Sequence, residues 1–317
     1  MNVTNKKIIQ IFFISILSSM ILISLVNYIF YKVPLSTSWI KEVYLKKDSY
    51  AKSILQPKLI VTGGSGVLFS VETNYLEKKL NVPVVNLGVN AGLKSDYILY
   101  RTKKDLNSGD SVLIILEYPN LVWNGEQSTM RTDYILTHDK NFFLFEMSLL
   151  DKITMLNSIA TPLQYIRAIK QNRVVPNESK KGSKYNSDTI NANGDETLKK
   201  SKNKGLDIKK FMPFIIPDNV ETKGLLSVLK FNKWCIKNNI KVLVSFPATL
   251  RHKEYFTKEY QKYFTNLINY LLKNNLKIIG KPSDFLYDTQ YFYDTNYHLN
   301  TKGAAMHTKQ LYKKNQL

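Results

Sequence analysis

Leu59-Ile60-Val61-Thr62-Gly63-Gly64-Ser65-Gly66 is the stretch that decides the fold. A short apolar run stops at two glycines and a serine, and a helical pattern follows over about 71–80. The same unit recurs downstream. Val82 to Leu87 reads as a second strand, followed by Gly88, Gly92 and a helix over about 93–106. Ser111 to Glu117 (SVLIILE) is a third strand, nearly all apolar, as suits a strand covered on both faces. Lys241 to Phe246 (KVLVSF) is a fourth, between helices at about 221–238 and 254–274, and Leu276 to Gly280 is a fifth. A Tyr/Phe-rich loop, Phe285 to Asn300, leads into a last helix from about Thr301. Strands alternating with helices predict a flavodoxin-like three-layer α/β/α domain, its parallel sheet in the order 2-1-3-4-5.

Upstream of this domain lies a different kind of sequence. Residues 8–30 (IIQIFFISILSSMILISLVNYIF) carry no charge and are long enough to cross a hydrocarbon core of about 30 Å. No small-x-small cleavage site precedes the charged flank, so the segment reads as an uncleaved anchor in the lipid bilayer. The expected organisation is a transmembrane anchor over 1–31, a juxtamembrane stem over 32–55 and an α/β domain over 56–317, with an insertion at about 121–210. Tyr28, Tyr31, Trp39 and Tyr44 suit an interface, although Trp39 and Tyr44 equally suit packing on the domain. Within the insertion, 121–170 has a mostly helical pattern. Residues 171–209 lose all periodicity and read as a flexible surface segment, being rich in Lys, Asn, Ser and Gly.

A formal net charge of +20 favours anionic partners but does not choose among them. No helix-turn-helix, RNP or zinc pattern supports a nucleic-acid binder. The single cysteine, Cys235, excludes an intramolecular disulfide and Cys-based metal sites. Four scattered histidines without HExxH give no metal signal, and no cofactor motif is present.

Two stretches carry chemistry. Glycines around Ser65 let the chain turn sharply and clear space for a substrate, leaving the serine at the top of the sheet beside backbone N–H donors. The bland alternative is a structural βα turn. The second stretch is Asp294-Thr-Asn-Tyr-His298. A serine needs a base, a histidine serves near neutral pH, and a carboxylate fixes its tautomer. The bland alternative is a loop Asp and a His without mutual contact. Both stretches follow strands whose carboxyl ends lie on one edge of the predicted sheet.

Serine after the first strand, glycine in a second block and an Asp/His pair near the C-terminus together resemble the SGNH (GDSL-like) hydrolases. VTGGSGVLFSVETNYLEKKLNVPVVNLGVNAGL looks most like their membrane-anchored relatives, which move or remove acyl groups on envelope polymers. The resemblance spans about 58–120 and 240–315. It implies Ser65 as nucleophile, His298 as base and Asp294 as its partner. Gly88 N–H and Ser65 N–H would serve as oxyanion donors. The family's Gly-x-Asn-Asp block is absent where strand three ends in Leu116-Glu117-Tyr118-Pro119-Asn120, so Asn90, or alternatively Asn120, takes the third donor's place. Three residues, instead of the usual two, separate Asp294 from His298.

By that resemblance the chain is a membrane-anchored acyl-esterase or O-acyltransferase. It would act on acetyl-like groups of an envelope polysaccharide or anionic polymer, with a membrane acyl-donor protein as partner in the transfer case. A non-catalytic scaffold in envelope assembly is the alternative. Positive-inside counting favours a cytoplasmic body, whereas the short basic head favours translocation. The resemblance tips the expectation toward an extracytoplasmic body. Glu117, at the end of strand three, suits either facing the site or anchoring a loop by hydrogen bonds, the second being favoured. His138, His252 and His307 are expected in turn, loop and packing roles. Tyr287, Tyr291, Phe292, Tyr293 and Tyr297 suit either loop packing or a carbohydrate-stacking wall.

Overall fold

The computed structural model describes residues 3–31, 37–161, 164, 186–198 and 206–315, and the chain divides into two compact units. Met1–Ser38 and Gln127–Ser179 form one; Trp39–Glu126 and Lys180–Leu317 form the other. Most of residues 171–209, the stretch read as a flexible surface segment, lies outside the described residues.

In the smaller unit, helix α1 (Val3–Tyr31) has 29 residues, about 43 Å of helix at 1.5 Å per residue. Its window Lys6–Ile23 is long and apolar enough to cross a bilayer. Helices α7 (Thr129–His138) and α8 (Leu149–Leu156) follow in the same unit, separated by a π-helical turn over Phe142–Glu146. Ser128 and Ser148 cap the two helices, accepting from Arg131 N–H and Asp151 N–H. Thr37 Oγ1 donates to Asp133 Oδ2 of α7 at 3.0 Å.

The larger unit carries a parallel five-stranded sheet. Its strands are β1 (Leu59–Thr62), β2 (Val84–Asn86), β3 (Ser111–Ile114), β4 (Lys241–Ser245) and β6 (Lys277–Ile279), in the order β2-β1-β3-β4-β6. This is the expected flavodoxin-like order. A second pairing of β5 (Thr249–Leu250) with β7 (Leu286–Tyr287) is too short for a sequence pattern to register. Every residue of β1 and β2 is buried, which explains their unbroken apolar runs. With right-handed crossovers, the order places α3 (Ser65–Ser70), α4 (Thr73–Leu80) and α11 (Thr301–Asn315) on one face. The opposite face takes α5 (Lys94–Lys103), α9 (Lys223–Lys237) and α10 (Lys258–Lys273). Helix α10 turns Tyr263, Phe264, Leu267 and Leu271 inward at helical spacing. Below the top edge, Lys58 Nζ meets Asp110 Oδ2 at 2.9 Å with both side chains buried.

Two expectations change here. Of residues 32–55, read as a juxtamembrane stem, 32–36 lie outside the described residues, and residues 38–53 are packed. They form helix α2 (Ser38–Ser53), which buries Ile40, Val43, Tyr44, Lys47, Asp48 and Ala51. Arg101 of α5 pairs with Asp48, and its guanidinium lies 4.9 Å from the Tyr44 ring centre. Residues 186–198, inside the stretch read as flexible, pack on the sheet edge. Asn193 carbonyl accepts from Asn86 N–H of β2 at 2.8 Å, and Ile190, Asn193, Asp195 and Glu196 are buried. The segment is held by polar pairing, which a count of apolar residues does not register.

Candidate active site

The loop after β1 is shaped by close approach. A Cβ on Gly63 would stand 2.1 Å from Ile115 carbonyl oxygen, and one on Gly64 would stand 2.6 Å from Ala91 Cα. Only glycine fits either place. Ser65 follows as the first residue of α3. The loop is held from the β3 side by Glu117, whose side chain is buried. Its Oε1 accepts from Gly66 N–H at 2.6 Å and its Oε2 from Gly64 N–H at 3.2 Å. Asn120 Nδ2 donates to the same Oε2 at 3.2 Å. The amides on either side of Ser65 are thereby tied to one carboxylate.

The Asp/His pair comes from a closed loop. Phe292 and Leu299 form an isolated antiparallel bridge, and Tyr293 N–H donates to His298 carbonyl at 2.8 Å. Inside that closure, Thr295 Oγ1 accepts from the N–H groups of Tyr297 and His298. The turn brings Asp294 back beneath the imidazole, and His298 Nδ1 sits 2.7 Å from Asp294 Oδ1. Three intervening residues thus permit the pairing. The ring is clamped from the side by Phe69, stacked at 4.3 Å between centroids and 13° between planes.

Ser65 and His298 line one cavity of about 300 Å³, together with Glu117, Asn120, Lys94 and Tyr297. It opens at the carboxyl ends of β1 and β3, where ligands bind in open α/β sheets. Asn120 stands on its wall, and Gly88 and Asn90 do not. Gly88 N–H donates to Asn86 Oδ1 at 2.9 Å, so it is committed inside the domain. Asn90 Oδ1 accepts from Gly92 N–H and caps a short turn. Tyr287, Phe292 and Tyr297 are buried, and Tyr293 stacks on Phe69 at 5.9 Å, so the aromatic run packs its loop, and of its members Tyr297 also lines the cavity. His307 is buried against Tyr287, with burial pulling its imidazole down to about 3. His252 is buried and displaced downward by burial, and it does not line the cavity. Among the described residues no group of three or more His, Cys, Asp or Glu is placed to hold a metal ion.

Sequence reading missed two lysines. Lys94 lines the cavity with φ of 69°, a left-handed value that is rare and costly for a residue with a side chain. Lys47 of α2 lies behind the site, fully buried, and donates to Gly88 carbonyl and, at 3.5 Å, to Asn86 Oδ1. Asn86 Nδ2 in turn donates to Val67 carbonyl and Asp195 Oδ1. Burial pulls the Lys47 ammonium down to about 7, against the opposing pull of Asp195 and Glu196.

The folded state then binds fewer protons at Lys47 than the unfolded chain between about pH 7 and 10.5, so this residue makes stability rise with pH across that window. The limiting slope is about 1.4 kcal/mol per pH unit. Urea midpoints at pH 7 and pH 9 check it. Wild type gains stability on going to pH 9 relative to Lys47→Met, and equal gains in the two proteins refute the assignment.

No family model matches the sequence, and no curated protein matches it. Among solved structures, the chain is similar to an acetyl xylan esterase at 14% identity and a TM-score of 0.40, covering 81% of this chain and 98% of that one. It is also similar to a protein from Bacteroides fragilis assigned as an acylhydrolase, at 11% identity and a TM-score of 0.41, covering 84% of this chain and 91% of that one.

Proposed function

We propose that this chain is a membrane-anchored serine acyl-esterase or O-acyltransferase of the SGNH kind. The observation that carries the reading is the His298–Asp294 pair at 2.7 Å, with His298 lining the same cavity as Ser65. Ser65 Oγ attacks the ester carbonyl carbon while His298 Nε2 takes its proton. Asp294 holds the imidazole by Nδ1 and stabilises the imidazolium. The tetrahedral oxyanion is met by Ser65 N–H and Asn120 Nδ2. Collapse breaks the ester C–O bond, and His298 returns the proton to the leaving alcohol. Water then releases the acyl group from Ser65 in an esterase, or a sugar hydroxyl accepts it in a transferase.

Helix α1 supplies the anchor, and we place the larger unit outside the cytoplasm. The net charge of +20 and Lys94 at the cavity suit an acylated envelope polysaccharide or anionic polymer. In the transfer case a membrane protein would deliver the acyl group.

One observation favours a second reading, a non-catalytic scaffold. Gly88 N–H is already engaged by Asn86 and one of the two Asn120 Nδ2 hydrogens by Glu117, which thins the set of oxyanion donors. Fluorophosphonate labelling of the full chain in detergent separates the two. An enzyme is modified at Ser65, as mapped by peptide mass spectrometry, and Ser65→Ala is not. Folded wild type that takes up no label supports the scaffold.

A further inference from the structure

Helix α8 is inverted relative to an ordinary surface helix. Met155 turns inward, while Leu149, Leu150, Ile153 and Leu156 turn outward at i, i+1, i+4 and i+7. Leu149 is 75% exposed and Leu150 68%. The π-helical turn before it does the same. Phe142 is buried, but Leu144 and Phe145 face out, the latter 79% exposed. Six large apolar side chains within thirteen residues (144–156) form a contiguous patch of the kind that marks an interaction site. Its position says what covers it. The patch belongs to the compact unit that contains α1. Thr37, six residues beyond the end of α1, is hydrogen-bonded to Asp133 of α7 in that unit. Six residues span at most about 22 Å, so α7 is leashed close to the mouth of the span. Lys152 Nζ donates to Leu144 carbonyl at 2.8 Å and fixes the turn against α8.

We propose that residues 142–156 form a second membrane contact, with the outward face of the π-turn and α8 lying in the headgroup–acyl boundary of the bilayer that α1 crosses. The proposal rests on reading α1 as a span. Charge plays no part in it, because Lys140 and Lys152 are offset by Asp139, Glu146 and Asp151. A zwitterionic bilayer therefore suffices. The contact would fix the stance of the smaller unit at the membrane through a second point besides α1.

The test uses the full chain in vesicles of phosphatidylcholine alone. An environment-sensitive fluorophore is attached through Phe145→Cys or Leu150→Cys, with Leu226→Cys, exposed on α9, as the aqueous control. Unlabelled wild type corrects for Cys235, which is buried. Labels at 145 and 150 should emit at shorter wavelength than the control. Nitroxide lipids in both leaflets should quench them about twofold or more, as befits groups lying about 5–10 Å into the boundary. Protein that floats with the vesicles while its labels at 145 and 150 behave like the control overturns the proposal and leaves the anchor standing. Protein that does not float overturns the anchor and the proposal with it. A wavelength shift that grows with protein density and resists lipid quenching assigns the patch to a second copy of the chain, and overturns the proposal too.

Discussion

His298→Ala is expected to lower kcat on a soluble aryl acetate by about 10⁴–10⁶-fold, and Asp294→Asn by about 10⁴-fold. The order follows from the geometry. Without the imidazole, Ser65 has no base, and the leaving alcohol has no acid. Without the carboxylate, the imidazole remains but loses the partner at 2.7 Å that fixes its tautomer and balances its charge. Neither change should unfold the chain. Asp294 is only partly buried and the loop keeps its own closure through Phe292, Leu299 and Thr295. His298→Ala also loses the stack on Phe69, worth about 0.5–1.5 kcal/mol. Initial rates and thermal unfolding on the same preparations check both. A rate for Asp294→Asn within tenfold of wild type would sink the mechanism.

The Asp294–His298 geometry also shows where sequence reading reaches its limit. A family spacing counts residues, but what matters is whether the loop returns. Here the bridge between Phe292 and Leu299 returns it, and the extra residue is absorbed in the turn. The five main strands were legible because burial on both faces demands unbroken apolar runs, and Gly63 and Gly64 were legible because nothing larger fits. The oxyanion side was less so. Gly88 and Asn90 look free in sequence, but Asn86 and the local turn engage them, while Asn120, within the short helix α6 (Tyr118–Leu121), reaches the cavity. Residues 186–198 misled for another reason. Their ordering comes from Asp195 accepting Thr73 N–H and Oγ1 at 2.8 Å and from Asn193 bonding Glu77 and Val84, and no apolar periodicity announces such pairings.

These pairings give the site two supports. Lys47, Asn86 and Asp195 brace the loop after β2 from behind, joining α2, the sheet edge and the returning strap. Glu117 braces the loop after β1 from the side of β3. Residues far apart in sequence thus hold the short turn around Ser65. At Glu117 a carboxylate suits this, because hydrogen bonds to ions are stronger than those between neutral partners and because its planar group reaches two amides at once.

Glu117→Ala is accordingly expected to lower both stability and rate. Three donors lose their acceptor: Gly64 N–H, Gly66 N–H and Asn120 Nδ2. At about 1–3 kcal/mol for each buried group left unpaired, the cost is at least about 3 kcal/mol, a large share of a domain's stability. For a unit of this size that corresponds to a fall in Tm of about 10 °C. The turn around Ser65 then slackens, and a misplacement of about 1 Å costs on the order of 10²-fold in kcat. Glu117→Gln should fall between Ala and wild type. Its carboxamide oxygen can keep the short bond from Gly66, but its NH₂ faces the donors at Gly64 and Asn120. Asn120 can relieve half of that conflict by turning its amide, because its Oδ1 has no partner in the native arrangement. Gly64 N–H belongs to the backbone and cannot turn. Thermal unfolding together with initial rates ranks the three proteins, and a Glu117→Ala protein that matches wild type in both would show that the carboxylate holds nothing in place.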